Sequence, residues 1–256
     1  MVPVPEASGS ALVDAPGDGR VRILLAADSG NAGLALVIDQ SGAQSVGLTL
    51  PLGSGAGDDI EGLERGPDGK IYGLTSAGQL RSWRLSDVEG GVMATLEDGP
   101  YAVSDDPAWA CDPVGVNCGP NYEGLCLHPA PGPGKCAGWA ASKALGELVC
   151  LVTADGRLVI DAARRIPITV PDQLSGCAFE PVPPYRLLVG ANLYSGSALW
   201  EVIGPEEAPV VEPLALVGAA NQETVIVLPD GSFQSFGDTQ GAFGEESPRI
   251  VFACAP

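Results

Sequence analysis

The amino-acid sequence predicts an all-β chain folded as a single β-propeller of five blades. Three observations carry that expectation. Helical periodicity is nearly absent, while short runs of strand-forming residues recur between Gly, Pro and Asp-Gly turns. Four segments share one phase. Glu61-Gly62-Leu63 leads to Pro67, Glu123-Gly124-Leu125 to Pro129, Ser175-Gly176-Cys177 to Pro181, and Glu223-Thr224-Val225 to Pro229, with the Pro six residues after the start each time. Successive starts lie 62, 52 and 48 residues apart, near the period of roughly 40–50 residues typical of propeller blades. A two-sheet sandwich is the other all-β solution, but it gives no reason for four equally phased turns.

In chain order, residues 1–20 are rich in Gly, Pro, Ala, Ser and Asp and read as a flexible N-terminal tether, with the propeller domain spanning 21–256. Residues 21–27 and 34–38 form the first strands, without a Glu-Gly start. In the repeats that follow, an innermost strand ends at the phased Pro. Two of these turns are Pro-Asp-Gly (67–69 and 229–231), where Gly supplies a positive φ. Second strands follow at 71–76, 137–142, 187–192 and 233–238, each closing on a small polar residue. Third strands fall at 80–85, 148–152, 199–203 and 250–252, and outer strands at 92–96, 158–160 and 210–216. Residues 99–120, poor in strand formers, read as an insertion; six blades is the alternative if 86–120 folds into another unit. Pairing of the N-terminal segment with the last blade would close the ring and leave no open sheet edge.

Composition narrows the partners. The net charge of −19, from 32 acids and 13 Lys plus Arg, repels polyanions and excludes a nucleic-acid surface. A single histidine excludes His-rich zinc sites. No run approaches the roughly 20 apolar residues of a membrane span. The opening Met1-Val2-Pro3-Val4-Pro5 has no basic or apolar signal region. The cysteines nevertheless suit an exported chain (secreted, periplasmic or surface-attached) whose export signal is missing. Cys111 and Cys118 bracket a Pro/Gly segment, and Cys126 and Cys136 bracket another, without metal or redox spacing. If 123–128 and 136–142 are neighbouring antiparallel strands, Cys126 pairs with Cys136 across the turn. Cys150, Cys177 and Cys254 leave an odd count.

The candidate site follows from the repeat. Glu61, Glu123 and Glu223 open innermost strands and so converge on the axis at one channel mouth. Clustered carboxylates repel unless some are protonated or a cation lies among them. Oxygen ligands without His or Cys suit Ca²⁺. Asp59 beside Glu61, and Asp28 and Asp238 at the ends of second strands, complete the expected ligand set. The plain alternative is that each Glu bonds backbone amides of the next blade. Trp109, Tyr122, Asn121 and Asn192 are expected to line a ligand mouth. His128 reads as a turn residue, and no nucleophile elbow or phosphate loop is present.

At the Glu-Gly-Leu starts the chain resembles the propellers of the esterase-like phytase and β-propeller phytase group. Asp59-Ile60-Glu61-Gly62-Leu63, Pro67-Asp68-Gly69-Lys70-Ile71-Tyr72-Gly73-Leu74 and Asn121-Tyr122-Glu123-Gly124-Leu125 carry the likeness. Asp105-Asp106-Pro107-Ala108-Trp109 is similar to a phytase Asp-Asp-Pro-Ala segment. More distantly, the blade pattern is similar to gluconolactonase and strictosidine-synthase propellers. The resemblance covers about residues 55–240. It implies calcium held by carboxylates at the channel mouth, together with phosphoester hydrolysis. Phytase-like sites gather several bases on phosphate, whereas the 13 Lys and Arg here are scattered. The expectation is therefore a calcium-binding module that takes a small molecule or protein on its loop face. A calcium-dependent hydrolase of phosphoesters or lactones is the alternative.

Overall fold

The computed structural model describes residues 2–14, 17, 19–168, 173–193, 196–217, 221–237 and 247–252, with no helix among them. It is a five-bladed β-propeller. Blade 1 comprises β1 (Ala7–Leu12), β2 (Arg22–Ala27), β3 (Leu34–Asp39) and β4 (Ser45–Thr49). Blade 2 comprises β5 (Ile60–Arg65), β6 (Ile71–Thr75), β7 (Gln79–Val88) and β8 (Gly91–Ala102). Blade 3 has β9 (Tyr122–Leu127), β10 (Gly138–Ser142), β11 (Glu147–Ala154) and β12 (Arg157–Pro167). Blade 4 has β13 (Gln173–Phe179), β14 (Leu187–Leu193), β15 (Gly196–Ile203) and β16 (Val210–Val217). Among the described residues, blade 5 has three strands, β17 (Gln222–Val227), β18 (Phe233–Gly237) and β19 (Arg249–Phe252). Each sheet is an antiparallel meander in chain order, and β1, β5, β9, β13 and β17 pack side by side around the axis. The two Pro-Asp-Gly turns form as the sequence predicts, with Gly69 at φ +80° and Gly231 at φ +82°.

The inner strands read as apolar runs because they are buried on both faces, whereas the outer β4 is mostly exposed. Successive residues of β2 serve opposite interfaces: Ile23 and Leu25 pack with Ile226 and Phe236 of blade 5, while Leu24 and Ala26 pack with Ile60 and Trp83 of blade 2. Leu74 and Tyr122 join blades 2 and 3, Trp139 and Phe179 join blades 3 and 4, and Leu199 and Val225 join blades 4 and 5. The core is therefore five interblade wedges rather than one central cluster.

Around the axis the innermost strands approach too closely for side chains. A Cβ added at Gly62 would stand 2.4 Å from the Leu125 amide nitrogen, and one at Gly124 2.9 Å from that of Cys177. Gly9 and Gly176 hold the same place against Leu63 and Glu223. At the fifth position Thr224 stands instead, and its hydroxyl meets that of Ser10 at 2.6 Å.

Three sequence expectations are corrected. Residues 1–20 contain β1, whose six residues are all buried and which heads blade 1. Its Ala-Ser-Gly-Ser composition reads as a tether, yet small residues are what this crowded axis admits. Ring closure pairs the N-terminal segment with the last blade as the sequence predicts, through a bridge between Val2 and Ser247, with Ser247 Oγ accepting from the Ala7 amide. The Cys126–Cys136 pairing is replaced by Cys126–Cys177 and Cys136–Cys150, each with Cα atoms 5.6 Å apart. The residue opposite Cys126 on β10 is Trp139, not Cys136, so Cys126 bonds sideways into β13. Cys111 joins Cys118 across 6.2 Å, and Cys254 lies outside the described residues. β8 runs on to Ala102, so the strand-free segment starts at 103.

Candidate metal centre

The innermost strands all start at one end of the channel, so residues near their starts share one mouth. Glu61 and Glu123 enter it from β5 and β9, and Glu223 from β17. Their closest company is not threefold. Asp28, just after β2, Asp59, just before β5, and Glu61 bring carboxylate oxygens within 4.8 Å of one another. Glu123 instead accepts from Lys143 Nζ at 3.1 Å. Glu223 Oε1 lies 3.5 Å from Asn192 Nδ2. Asp238, the remaining expected ligand, lies outside the described residues.

The local folding that assembles the trio is readable. Asp58 accepts the Gly30 and Ala32 amides at 3.2 and 2.7 Å, which shapes the turn after β2 and carries Asp28 to Asp59. Arg81, fully buried in β7, donates to the carbonyls of Leu52, Ala56 and Gly57. It thereby fixes the connection that delivers Asp59. Ser76, after β6, donates to Asp59 Oδ2 and accepts the Asn117 amide at 3.0 Å. The Cys111–Cys118 loop is thus tied to the acid mouth, and the Gly57 amide donating to Pro113 ties it a second time.

Electrostatically the mouth is loaded. Burial raises the Glu61 carboxyl well above its ordinary range, reinforced by Glu123, Asp28, Asp59 and Glu223. Burial also raises Asp59 to about 6, with Asp28 adding to the effect and Ser76 opposing it. Glu123 is raised to about 7, again by burial first, with Lys143 pulling it down. For Lys143, burial is outweighed by Glu123, Glu223 and Glu61, which hold it protonated. Asp59 Oδ1 is buried with no hydrogen-bond partner. An acceptor-only atom orphaned beside two further carboxylates fits an oxygen-coordinated divalent cation. The amide-lock alternative does not describe Glu61 or Glu123: among the described residues neither accepts from a backbone amide, and Glu123 is held by a lysine.

The expected ligand-mouth residues divide. Asn192 borders the acids through Glu223. Asn121 keeps a buried Oδ1 without a partner. Tyr122 is fully buried between blades 2 and 3, with its hydroxyl donating to the Trp109 carbonyl at 2.9 Å, so it belongs to the core instead. Trp109 is half-buried, its ring 5.9 Å from the Arg165 guanidinium. Sequence reasoning missed Lys143 and Ser76 as members of the mouth. Their positions at the ends of second strands, the same places that supply Asp28 and Asn192, are the signal that could have found them.

No family model matches the chain, and no curated protein matches it. Solved structures share the propeller. The PQQ-bound aldose sugar dehydrogenase of Streptomyces coelicolor superposes with a TM-score of 0.53 at 13% identity, over 98% of this chain and 96% of that one. A putative oxidoreductase (glucose dehydrogenase) of Thermus thermophilus gives 0.46 at 16% identity, over 98% of both chains. A putative gluconolactonase gives 0.48 at 14% identity, over 93% and 73%. The likeness to the aldose sugar dehydrogenase shows the fold alone, in agreement with the five-bladed propeller described above.

Proposed function

We propose that this protein is an exported, calcium-binding propeller whose acid mouth, held by Asp28, Asp59 and Glu61 and flanked by Glu123 and Glu223, takes a small ligand. The observation that carries this reading is the orphaned, fully buried Asp59 Oδ1 within a trio of converging carboxylates. When bound, calcium would neutralise the trio and supply a Lewis-acidic centre for ligand oxygens. The chain's own residues do the rest. Ser76 orients Asp59, Lys143 neutralises Glu123, and the disulfide-closed 111–118 loop shields one side. Three disulfides support an oxidising compartment. Among the described residues no helix is long and apolar enough to cross a membrane.

Lys143 favours a second reading. A fixed ammonium beside the carboxylates could meet the oxyanion that develops when a lactone or phosphoester is hydrolysed. Calorimetry with Ca²⁺ on chelator-treated protein tests the first reading: one bound ion, lost in Asp59→Asn, is expected, and no binding would overturn it. A panel of lactones and phosphoesters assayed with and without chelator tests the second. Turnover that needs calcium and Lys143 would support hydrolysis.

A further inference from the structure

The channel has a second mouth, at the far ends of the innermost strands. The last residue of each strand, Leu12, Arg65, Leu127, Phe179 and Val227, lines a cavity of about 190 Å³ there. The glycine collar stands between this cavity and the acids.

Its walls combine apolar side chains with polar groups. Asp14 is already engaged, 2.6 Å from Arg22 Nη2. Arg65 is different. Among the described residues its guanidinium makes no ion pair, and its Nε is buried with no hydrogen-bond partner. Glu64 lies next to it, one oxygen accepting the Arg65 amide at 2.8 Å. Its surface is only partly covered, but it sits deep in the molecule, and this desolvation raises its carboxyl to about 8. The Arg65 amide and charge oppose that rise, and among the described residues no ion pair joins the two side chains. Phe179 and Tyr185 add aromatic walls, steadied from behind by the His128 ring at 4.9 and 5.2 Å.

A half-buried guanidinium with no ion pair and a covered, unpartnered Nε, on the wall of a cavity in a strongly acidic protein, leaves donors that an anion would satisfy. We propose that this second mouth binds a small monocarboxylate with an apolar body, its carboxylate on Arg65 and its body against Phe179, Tyr185 and Leu127. The guanidinium fork matches a carboxylate geometrically, which a point charge would not. The site is independent of the acid mouth and of any ion held there.

Benzoate is the probe, with benzyl alcohol and benzylamine as the uncharged and cationic analogues, all titrated with chelator present so that no metal at the acid mouth contributes. Benzoate is expected to bind at least tenfold more tightly than either analogue. In NMR spectra it should shift the methyl signals of Leu12, Leu127 and Val227. Arg65→Gln should weaken benzoate at least tenfold and leave benzyl alcohol unchanged, with Arg65→Lys intermediate. Thermal melts establish that each variant is folded, and the methyl map on the wild-type protein stands without any variant. The proposal fails if benzoate binds no better than benzyl alcohol. It also fails if the shifted methyls lie elsewhere, or if Arg65→Gln binds benzoate like the wild type.

Discussion

At the scale of single residues, the axis shows how little room separates blades. Gly62 has no alternative: a methyl group there would lie 2.4 Å from one backbone nitrogen and 2.7 Å from a carbonyl carbon of β9. Backbone cannot yield as a side-chain tip can, so Gly62→Ala should cost several kcal/mol, at or beyond the range of about 1–3 for an overpacked core. Gly47→Ala, on the outer strand of blade 1 with open space around it, is the control and should be nearly neutral. Urea melts of the two variants check this directly. Arg81 supplies a second case. Its donors hold three carbonyls of the connection before Asp59, at 2.7 to 3.2 Å. Hydrogen bonds to charged groups contribute about 1.5–3 kcal/mol each, so Arg81→Met should lower the melting temperature and also weaken any calcium binding. Neither residue announced its role in the sequence. Gly62 looked like part of a motif, and Arg81 like one of many scattered bases, because contacts across the axis or into another connection leave no trace in local spacing.

At the scale of elements, most second and third strands and all the phased turns were legible, since burial on both faces writes itself as apolar runs and positive φ writes itself as Asp-Gly. The strand that was missed, β1, shows the limit. Ser8-Gly9-Ser10 occupies the place of Glu61-Gly62-Leu63, but six residues after Ser8 stands Asp14 where the other repeats have Pro. Without the phased turn, a stretch of Ala, Ser and Gly carries no strand signal. The acids of the mouth could be named from the sequence, but not their grouping, nor Lys143 and Ser76 beside them. The repeat predicts symmetry among Glu61, Glu123 and Glu223, whereas Lys143 captures Glu123, and Asp28 and Asp59 lie close to Glu61. Cys111–Cys118 forms as its bracketing of the loop predicts, while the Cys126–Cys136 pairing fails for a related reason: spacing along the chain cannot see the neighbour across a blade interface. Cys126–Cys177 staples β9 to β13 and closes a loop of 51 residues. Non-reducing peptide mapping should find it together with Cys136–Cys150. Replacing Cys126 and Cys177 with Ala should cost about 2–5 kcal/mol, the usual range for a native disulfide in a small secreted domain.

For the whole molecule, the consequence is a stability that depends on pH in an unusual direction. Glu61, Glu123 and Asp59 all have carboxyls raised above their unfolded values, chiefly by burial. A folded state that holds protons more tightly than the unfolded state is favoured at low pH. The contribution is therefore fully present below about pH 4, the ordinary carboxylate value. It is lost as pH rises through the folded values, about 6 for Asp59 and about 7 for Glu123. Glu64, raised to about 8 at the other mouth, acts in the same direction. Metal-free protein should thus melt at a lower temperature at pH 7.5 than at pH 5, by about 2–4 °C for each kcal/mol lost. A divalent cation at the acid mouth changes this selectively, because it competes with protons for Asp59 and Glu61 and leaves Glu64 untouched. Calcium should raise the melting temperature more at pH 7.5 than at pH 5, with a gain that grows as the logarithm of its concentration above the dissociation constant. Glu61→Gln removes one charge from the mouth. It should raise the melting temperature of metal-free protein at pH 7.5 and reduce the calcium gain. Scanning fluorimetry at both pH values, with chelator or calcium, reads all four quantities. A wild-type melting temperature that rises from pH 5 to 7.5 in chelator, or a calcium gain equal at the two pH values, would contradict the account.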